Sequence, residues 1–208
     1  MKQKKWDLAH YEFPIEDANR LLEPGYLPIE SGYKLLSNGQ YHVCALTPMP
    51  RCKGKMIHWW FGWIGDTERY KLWHPHDHVL GEWEGKREPD QYIGASHIAH
   101  EYIGGEMAKL KITFCEPSEF MDTSRFAALG VTAVSARVYL LEMPDMQVAT
   151  LIHFIRDTDF GCEMRSQFWI HVPGADDIAR GNHQHCIEEM GNLATFLPEL
   201  YAKETARK

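Results

Sequence analysis

Two runs of strand-forming residues, at positions 95–103 and 106–114, are separated only by a Gly-Gly dipeptide at positions 104–105. A two-residue loop of this composition predicts a tight antiparallel β-hairpin. Because the length of the loop fixes the pairing of the strands, Glu101 is expected to lie opposite Ala108. This hairpin limits the fold more than any other feature of the chain, since it commits the centre of the sequence to an antiparallel sheet.

The side chains of the hairpin also predict which face is buried. The second run places Ala108, Leu110, Ile112 and Phe114 on one face and the lysines on the other, so the first face belongs to the core. His97, Glu101 and Glu106 fall on that apolar face, with Glu106 beside the turn. An interior carboxylate costs several kcal/mol unless it is paired or binds a metal. Glu101 is therefore a candidate metal ligand, with Glu106 as the alternative.

The last predicted element is a helix over about residues 175–204. Its apolar spacing groups Glu189 with Leu193 on one face, and His185 precedes Glu189 by one turn on that face. The neighbouring Glu188 falls on the polar face. A histidine and a glutamate at positions i and i+4 of an inward face can reach one metal ion together.

Residues 56–78 combine tryptophans with histidines. The tryptophans predict a wall for an apolar pocket, and the histidines beside a carboxylate predict chemistry at its end. The residues of interest are Trp59, Trp60, Trp63, Tyr70, Trp73, His74, His76, Asp77 and His78.

The order of the elements predicts an α+β fold. A strand at 41–47 precedes helices at 53–64 and 67–73, with Thr67 as the N-cap of the second, and a charged loop at 81–89 precedes the hairpin. Strands follow at 132–142, 147–156 and 161–172. This order matches the helix-grip (Bet v 1-like) arrangement, in which a curved antiparallel sheet wraps a long C-terminal helix around a cavity. Residues 1–40, punctuated by proline and glycine, are expected to form an arm packed on a domain spanning 41–208.

Two of the later strands carry polar side chains that matter for this fold. His153 shares a face with Leu151 and Ile155, so it is either a cavity residue or a hydrogen-bonded core histidine. On the last strand, Glu163, Arg165, Gln167 and His171 share a face whose environment, solvent or polar cavity, the sequence leaves open.

Composition and charge indicate which partners and which cellular location to expect. A net charge of −7 argues against nucleic acid, and no apolar run approaches the length of a membrane span. The five cysteines form no Cys-x-x-Cys pair, which favours reduced thiols and a cytoplasmic location. A homodimer is compatible with the sequence, because the arm can pack on its own domain or on a partner.

Three motifs carry a resemblance to a known family. The runs HWWFGWIGDTERYKLWHPHDH, HIAHEYIGGE and HQHCIEEMGNL, in this order, resemble the 2,4-diacetylphloroglucinol hydrolases. The resemblance spans about residues 21–200. It implies a helix-grip fold, bound Zn²⁺, and hydrolysis of the carbon–carbon bond that joins an acyl group to a phloroglucinol-like ring; a β-diketone substrate also fits.

The resemblance implies roles for individual residues. The zinc ligands would be His74, Glu101, His185 and Glu189. The general acid that protonates the ring carbon would be His153 or Asp77, or a water molecule on the zinc. Asp77 replaces an asparagine of the family, a change that would alter hydrogen bonding to the ring oxygens. The residues expected to contact the small aromatic substrate are Trp59, Trp60, Trp63, Tyr70 and His78.

Two other classes of protein are alternatives. One is a non-catalytic helix-grip carrier of an aromatic or polyketide ligand. The other is a cupin-like metal oxygenase, because His76, His78 and Glu82 imitate the ligand spacing of that fold. The missing glycines and the long C-terminal helix argue against the oxygenase.

Overall fold

A computed structural model describes residues 8–85, 88 and 91–206. One antiparallel sheet of eight strands dominates it, in the spatial order β1-β2-β8-β7-β6-β5-β4-β3. The strands are β1 (Gly32–Leu35), β2 (Tyr41–Pro50), β3 (His78–Glu84), β4 (Ser96–Ile103), β5 (Glu106–Cys115), β6 (Val131–Leu140), β7 (Met143–Asp157) and β8 (Gly161–Ile170).

Within the described part of the chain there are four α-helices, and the C-terminal one is the longest. They are α1 (Gly54–Trp63), α2 (Thr67–Trp73), α3 (Phe126–Leu129) and α4 (Asp176–Thr205), and a 3-10 helix covers Ile15–Leu22. Helix α4 crosses one face of the sheet, where it contacts β2, β1, β4 and β8 as well as α1 and α2. This is the helix-grip architecture expected from the sequence.

The predicted hairpin is confirmed residue by residue. Strands β4 and β5 pair with Ile103 opposite Glu106 and Glu101 opposite Ala108. Glu101 is buried and Glu106 is exposed, so the two carboxylates differ as the face pattern and the turn position indicated.

The region after α2 differs from the prediction. Residues 81–84 belong to β3 and not to a loop, and the rest of the predicted loop lies partly outside the described residues. Earlier in the chain, the prediction also missed strand β1. Glu82 and Glu84 are exposed whereas Gly81 is buried, so β3 has one solvated face, and its charged residues resembled those of a loop. Helix α2 begins at Thr67, but its N-cap is Asp66, whose carboxylate accepts a hydrogen bond from the Arg69 amide at 2.8 Å.

The cupin-like alternative is wrong. The eight strands form one antiparallel sheet rather than a double-stranded β-helix. His76 and Glu82 are exposed, whereas His78 is buried, so the three residues do not share an environment.

The far face of the sheet is covered by residues that precede β2. Phe13, Leu21 and Leu22 pack there against Trp169 of β8. The polar face of β8 is thus neither solvated nor part of a cavity next to α4. Arg165 is only 1% exposed, and its guanidinium binds Glu30 at 2.6 Å.

Among the described residues, no helix is both long enough and apolar enough to cross a membrane.

Candidate active site

Four buried polar side chains meet between the sheet and α4. His78 begins β3 and pairs in register with Glu101 of β4, so the strand pairing sets these two side by side. His185 and Glu189 lie one turn apart on the inward face of α4. All four are at most 8% exposed.

The four side chains converge on a small volume. The Nε2 atoms of His78 and His185 are 3.4 Å apart. The Nε2 atom of His78 lies 3.5 Å from an oxygen of Glu101 and 3.7 Å from an oxygen of Glu189. From Nε2 of His185, the same oxygens are 3.9 and 3.8 Å away. Two imidazole nitrogens and two carboxylates thus point at one another, and we call this group the His78 cluster.

Hydrogen bonds turn the His78 ring toward the cluster. Its Nδ1 donates to the Tyr70 carbonyl oxygen at 2.9 Å, which leaves the lone pair of Nε2 directed inward. The Tyr70 ring stacks on His78 with 3.7 Å between centroids, and its hydroxyl donates to Glu101. Gly81 makes room for this ring, because a Cβ there would lie 2.6 Å from Cγ of Tyr70.

A carboxylate holds His185 in the same way. Its Nδ1 lies 3.3 Å from an oxygen of Asp77, and Nε2 therefore faces the cluster. Burial lowers the pKa of His185, but Glu189, Glu101 and Asp77 together outweigh burial and raise it. A carboxylate–histidine pair of this kind is the usual support of a metal-binding imidazole.

His74 is adjacent but differently oriented. Its Nδ1 accepts a hydrogen bond from the Asp77 amide at 3.1 Å, so Nε2 carries the proton of the neutral ring. That Nε2 points to an oxygen of Glu188 at 3.2 Å, and the ring stacks on His185 with 4.8 Å between centroids. Glu188 lies on the polar face of α4, as expected, yet it contacts this histidine.

The electrostatics of the His78 cluster suit a cation. Burial raises the pKa of Glu189 to about 8, with His185 opposing the rise and Glu101 adding to it. Burial also lowers the pKa of His78 to about 3, so this imidazole is neutral at neutral pH. Two adjacent buried carboxylates repel each other when both are charged, whereas a divalent cation would be bound by them and by the two imidazoles together. The residues present therefore fit a metal ion.

Two cavities adjoin the cluster. The larger, of about 350 Å³, lies between the sheet and α4 and reaches Glu101 and Asn182 at its inner end. A smaller chamber of about 60 Å³ is lined by Glu101, His185, Glu189 and, in addition, His153. The geometry therefore places a group of side chains that fits a metal ion at the end of an apolar pocket.

Comparisons with known proteins identify the family. The model of the DAPG hydrolase PhiG domain matches residues 13–202. The chain belongs to this family. It is 30% identical to the 2,4-diacetylphloroglucinol hydrolase of Pseudomonas protegens, over 90% of this chain and 72% of that protein. It is 28% identical to the phloretin hydrolase of Eubacterium ramulus, over 92% of this chain and 78% of that protein.

The fold is also found in a solved structure of low sequence identity. Major latex-like protein 151 from Panax ginseng superposes with a TM-score of 0.50 at 10% identity, over 74% of this chain and 95% of that one. This supports the helix-grip fold alone. By its family, the chain is a hydrolase that acts on carbon–carbon bonds of ketones.

The structure separates the residues predicted from the sequence into two groups. Glu101, His185 and Glu189 meet as expected, and Tyr70 lines the small chamber beside them. The structure adds His78 to the group, although the sequence suggested it as a substrate contact. It sets His74 in a neighbouring group with Asp77 and His185.

Three of the tryptophans lie away from the cavities, whereas Trp73 lines the small chamber. Trp60 is fully buried in the core between α1, α2 and α4. Trp59 stacks on Trp63 and faces Tyr201 of α4, and Trp63 lies under the Arg69 guanidinium. The described linings of the two cavities contain none of these three residues. Trp59 and Trp60 thus pack against α4 from outside the pocket.

His153 lines the small chamber, and its imidazole is uncharged at neutral pH. Its Nδ1 is 2.8 Å from the Ser166 hydroxyl, and its ring stacks on Phe61. Burial lowers the pKa of His153 to about 3. The sequence missed Ser166 and Asn182; the position of Asn182, one turn before His185 on the same helix, was the available signal.

Proposed function

We propose that this chain is a zinc-dependent hydrolase that cleaves the bond between an acyl group and a phloroglucinol-like ring or β-diketone. The observation that carries this proposal is the His78 cluster at the inner end of an apolar cavity. The relatives named for diacetylphloroglucinol and phloretin support the substrate class.

His78, Glu101, His185 and Glu189 would hold the zinc. Two imidazoles and two carboxylates are ligands that zinc accepts. His78 is favoured over His74 because its Nε2 lone pair faces the other donors, whereas Nε2 of His74 carries a proton toward Glu188. When bound, zinc would polarise a substrate oxygen or lower the pKa of water.

Asp77 and Tyr70 act as positioning residues in this proposal. Asp77 fixes the tautomer and the direction of the His185 ring. Tyr70 holds His78 through its carbonyl oxygen and Glu101 through its hydroxyl. Asp77 lies on the outer side of His185, which favours support of the ring over proton transfer to substrate.

The overall reaction adds one water molecule. The carbon–carbon bond breaks with its electron pair moving to the ring carbon, which takes up a proton, while the acyl carbon gains hydroxide and leaves as a carboxylic acid. His153 is uncharged at neutral pH, so its N–H is suited to binding a substrate oxygen rather than to supplying a proton from an imidazolium. The carrier alternative is not favoured, because an apolar ligand gains nothing from four buried charged or polar groups.

The experiment is turnover of acylphloroglucinols by the purified full chain. Incubation should convert the substrate to phloroglucinol and the matching carboxylic acid, both quantified by liquid chromatography. A strong chelator should abolish the conversion, and added Zn²⁺ should restore it. Substrate that binds but is never cleaved, even after zinc is supplied, would contradict the proposed hydrolase activity and favour a non-catalytic carrier.

A further inference from the structure

The larger cavity is lined mainly by apolar side chains. Its walls are contributed by β4 to β8 and α4. Most of the lining side chains are aliphatic or aromatic, for example Leu110, Val138, Ala149, Leu151, Phe168 and Ile170. A volume of about 350 Å³ lies within the range of small-molecule sites. The cavity can therefore hold a sizeable apolar group.

Polar groups stand only at the two ends of the described lining. At the inner end, Glu101 and Asn182 border both the cavity and the small chamber. The buried Oδ1 of Asn182 has no hydrogen-bond partner among the described residues, so it is open to accept from a ligand hydroxyl. At the outer end, Glu106 accompanies Met107, Met146 and Ile178, and the last three are 39–44% exposed.

An acylphenol can enter this site in two orientations. With the acyl group in the inner chamber, the ring hydroxyls would face Val138, Ile170 and other aliphatic walls, where they lose their hydrogen bonds to water without replacement. With the ring at the inner end, its hydroxyls meet Asn182 and the charged residues, and the acyl chain follows the apolar walls outward. The second orientation satisfies both halves of the molecule.

We propose that the larger cavity binds the acyl chain, so that preferred substrates carry an apolar acyl group substantially longer than acetyl. This inference rests on the proposed function and specifies the substrate of the same site. The methionines at the rim can adapt to chains of different length, because their side chains are unbranched and flexible. Beyond that rim an added methylene stays in water, so the gain ends there.

The test is binding of an alkanoyl series to the metal-free protein, where hydrolysis does not interfere. Acetyl-, butanoyl- and hexanoylphloroglucinol are titrated by calorimetry. Burial of each methylene lowers Kd about fourfold, so hexanoyl should bind about two orders of magnitude more tightly than acetyl. Equal Kd values across the series would overturn the proposal.

A variant that fills the cavity localises the effect. Ala149→Phe places a ring among the apolar walls and should flatten the dependence of Kd on chain length. The matched control is Ala128→Phe on exposed α3, which should keep the wild-type dependence. If Ala149→Phe fails to fold by circular dichroism, Ala108→Phe fills the same cavity from β5.

The outcomes separate this inference from the proposed function. A full chain-length dependence that persists in a folded cavity-filling variant would overturn the assignment of the acyl chain to this cavity. If Kd falls with acyl length but the zinc-loaded protein shows no turnover, the proposed hydrolase activity is refuted, whereas binding of the acyl chain in the larger cavity is supported. Turnover that is equal for acetyl and hexanoyl, with equal Kd, would retain the hydrolase and remove the inference.

Discussion

Asp77→Asn tests how the site supports its metal ligands. The substitution keeps the shape of the side chain but removes the charge that faces Nδ1 of His185 at 3.3 Å and Nε2 of His74 at 3.6 Å. Loss of such a supporting carboxylate typically weakens metal binding about 10- to 100-fold. Because the Asp77 side chain is 33% exposed, solvent screens its charge and the lower end applies. We expect the zinc Kd to rise about tenfold, or about 1.4 kcal/mol.

The assay is competition for Zn²⁺ between the protein and a chromophoric chelator at neutral pH. The control is Asp177→Asn, the same chemical change at a side chain that is 89% exposed and pairs with Arg180 on α4. The control should bind zinc as the wild type does. An unchanged zinc Kd in Asp77→Asn would refute the supporting role of this carboxylate, and an equal loss in both variants would trace it to net charge.

Two further predictions concern the covered face of the sheet. Glu30→Ala leaves the guanidinium of Arg165 buried without its carboxylate and should lower the free energy of unfolding, measured by urea titration, by about 3–5 kcal/mol. The control, Glu199→Ala, breaks an exposed ion pair and should lower the free energy of unfolding by at most about 1 kcal/mol. Burial lowers the pKa of His42 to about 4, so between pH 6.5 and about 4 the unfolded chain binds a proton that the native chain does not. The free energy of unfolding therefore falls as the pH falls, because neutral His42 must be protonated on unfolding. In His42→Gln the decrease between pH 7 and pH 5 should be smaller by about 2 kcal/mol. The same pH dependence of the unfolding free energy in wild type and variant would contradict this.

The central hairpin could be predicted because its information is local. The dipeptide at 104–105 fixes the register, and alternation along β5 fixes the buried face, so the depth of Glu101 followed from neighbouring residues. The inward pair His185 and Glu189 followed from helical spacing in the same way. Local geometry sufficed wherever the partner lay on the same element or across one tight turn.

The position of His78 could not be predicted in this way. It follows Pro75 and Asp77 in a run that resembles a surface loop, and it becomes buried only because Tyr70 stacks on it and β3 joins the sheet edge. The same holds for Arg165, whose partner Glu30 is 135 residues away. These contacts depend on long-range packing, which no periodicity in the chain records.

The tryptophans show how composition can mislead. Their density in α1 correctly predicted a large buried area, but one helix presents side chains in all directions, and α4 lies on the side that Trp60 faces. The apolar walls of the substrate cavity instead come from single residues of β5 to β8, each ordinary in its own strand.

The most direct test of the central claim is the zinc content of the purified wild type, His78→Ala and His74→Ala, measured by elemental analysis after equal exposure to Zn²⁺. Circular dichroism checks that each variant is folded. The account predicts about one zinc per chain in the wild type and in His74→Ala, and little in His78→Ala. The reason is that the Nε2 lone pair of His78 faces Glu101 and Glu189, whereas Nε2 of His74 carries a proton toward Glu188. Zinc retained by folded His78→Ala but lost from His74→Ala would contradict it.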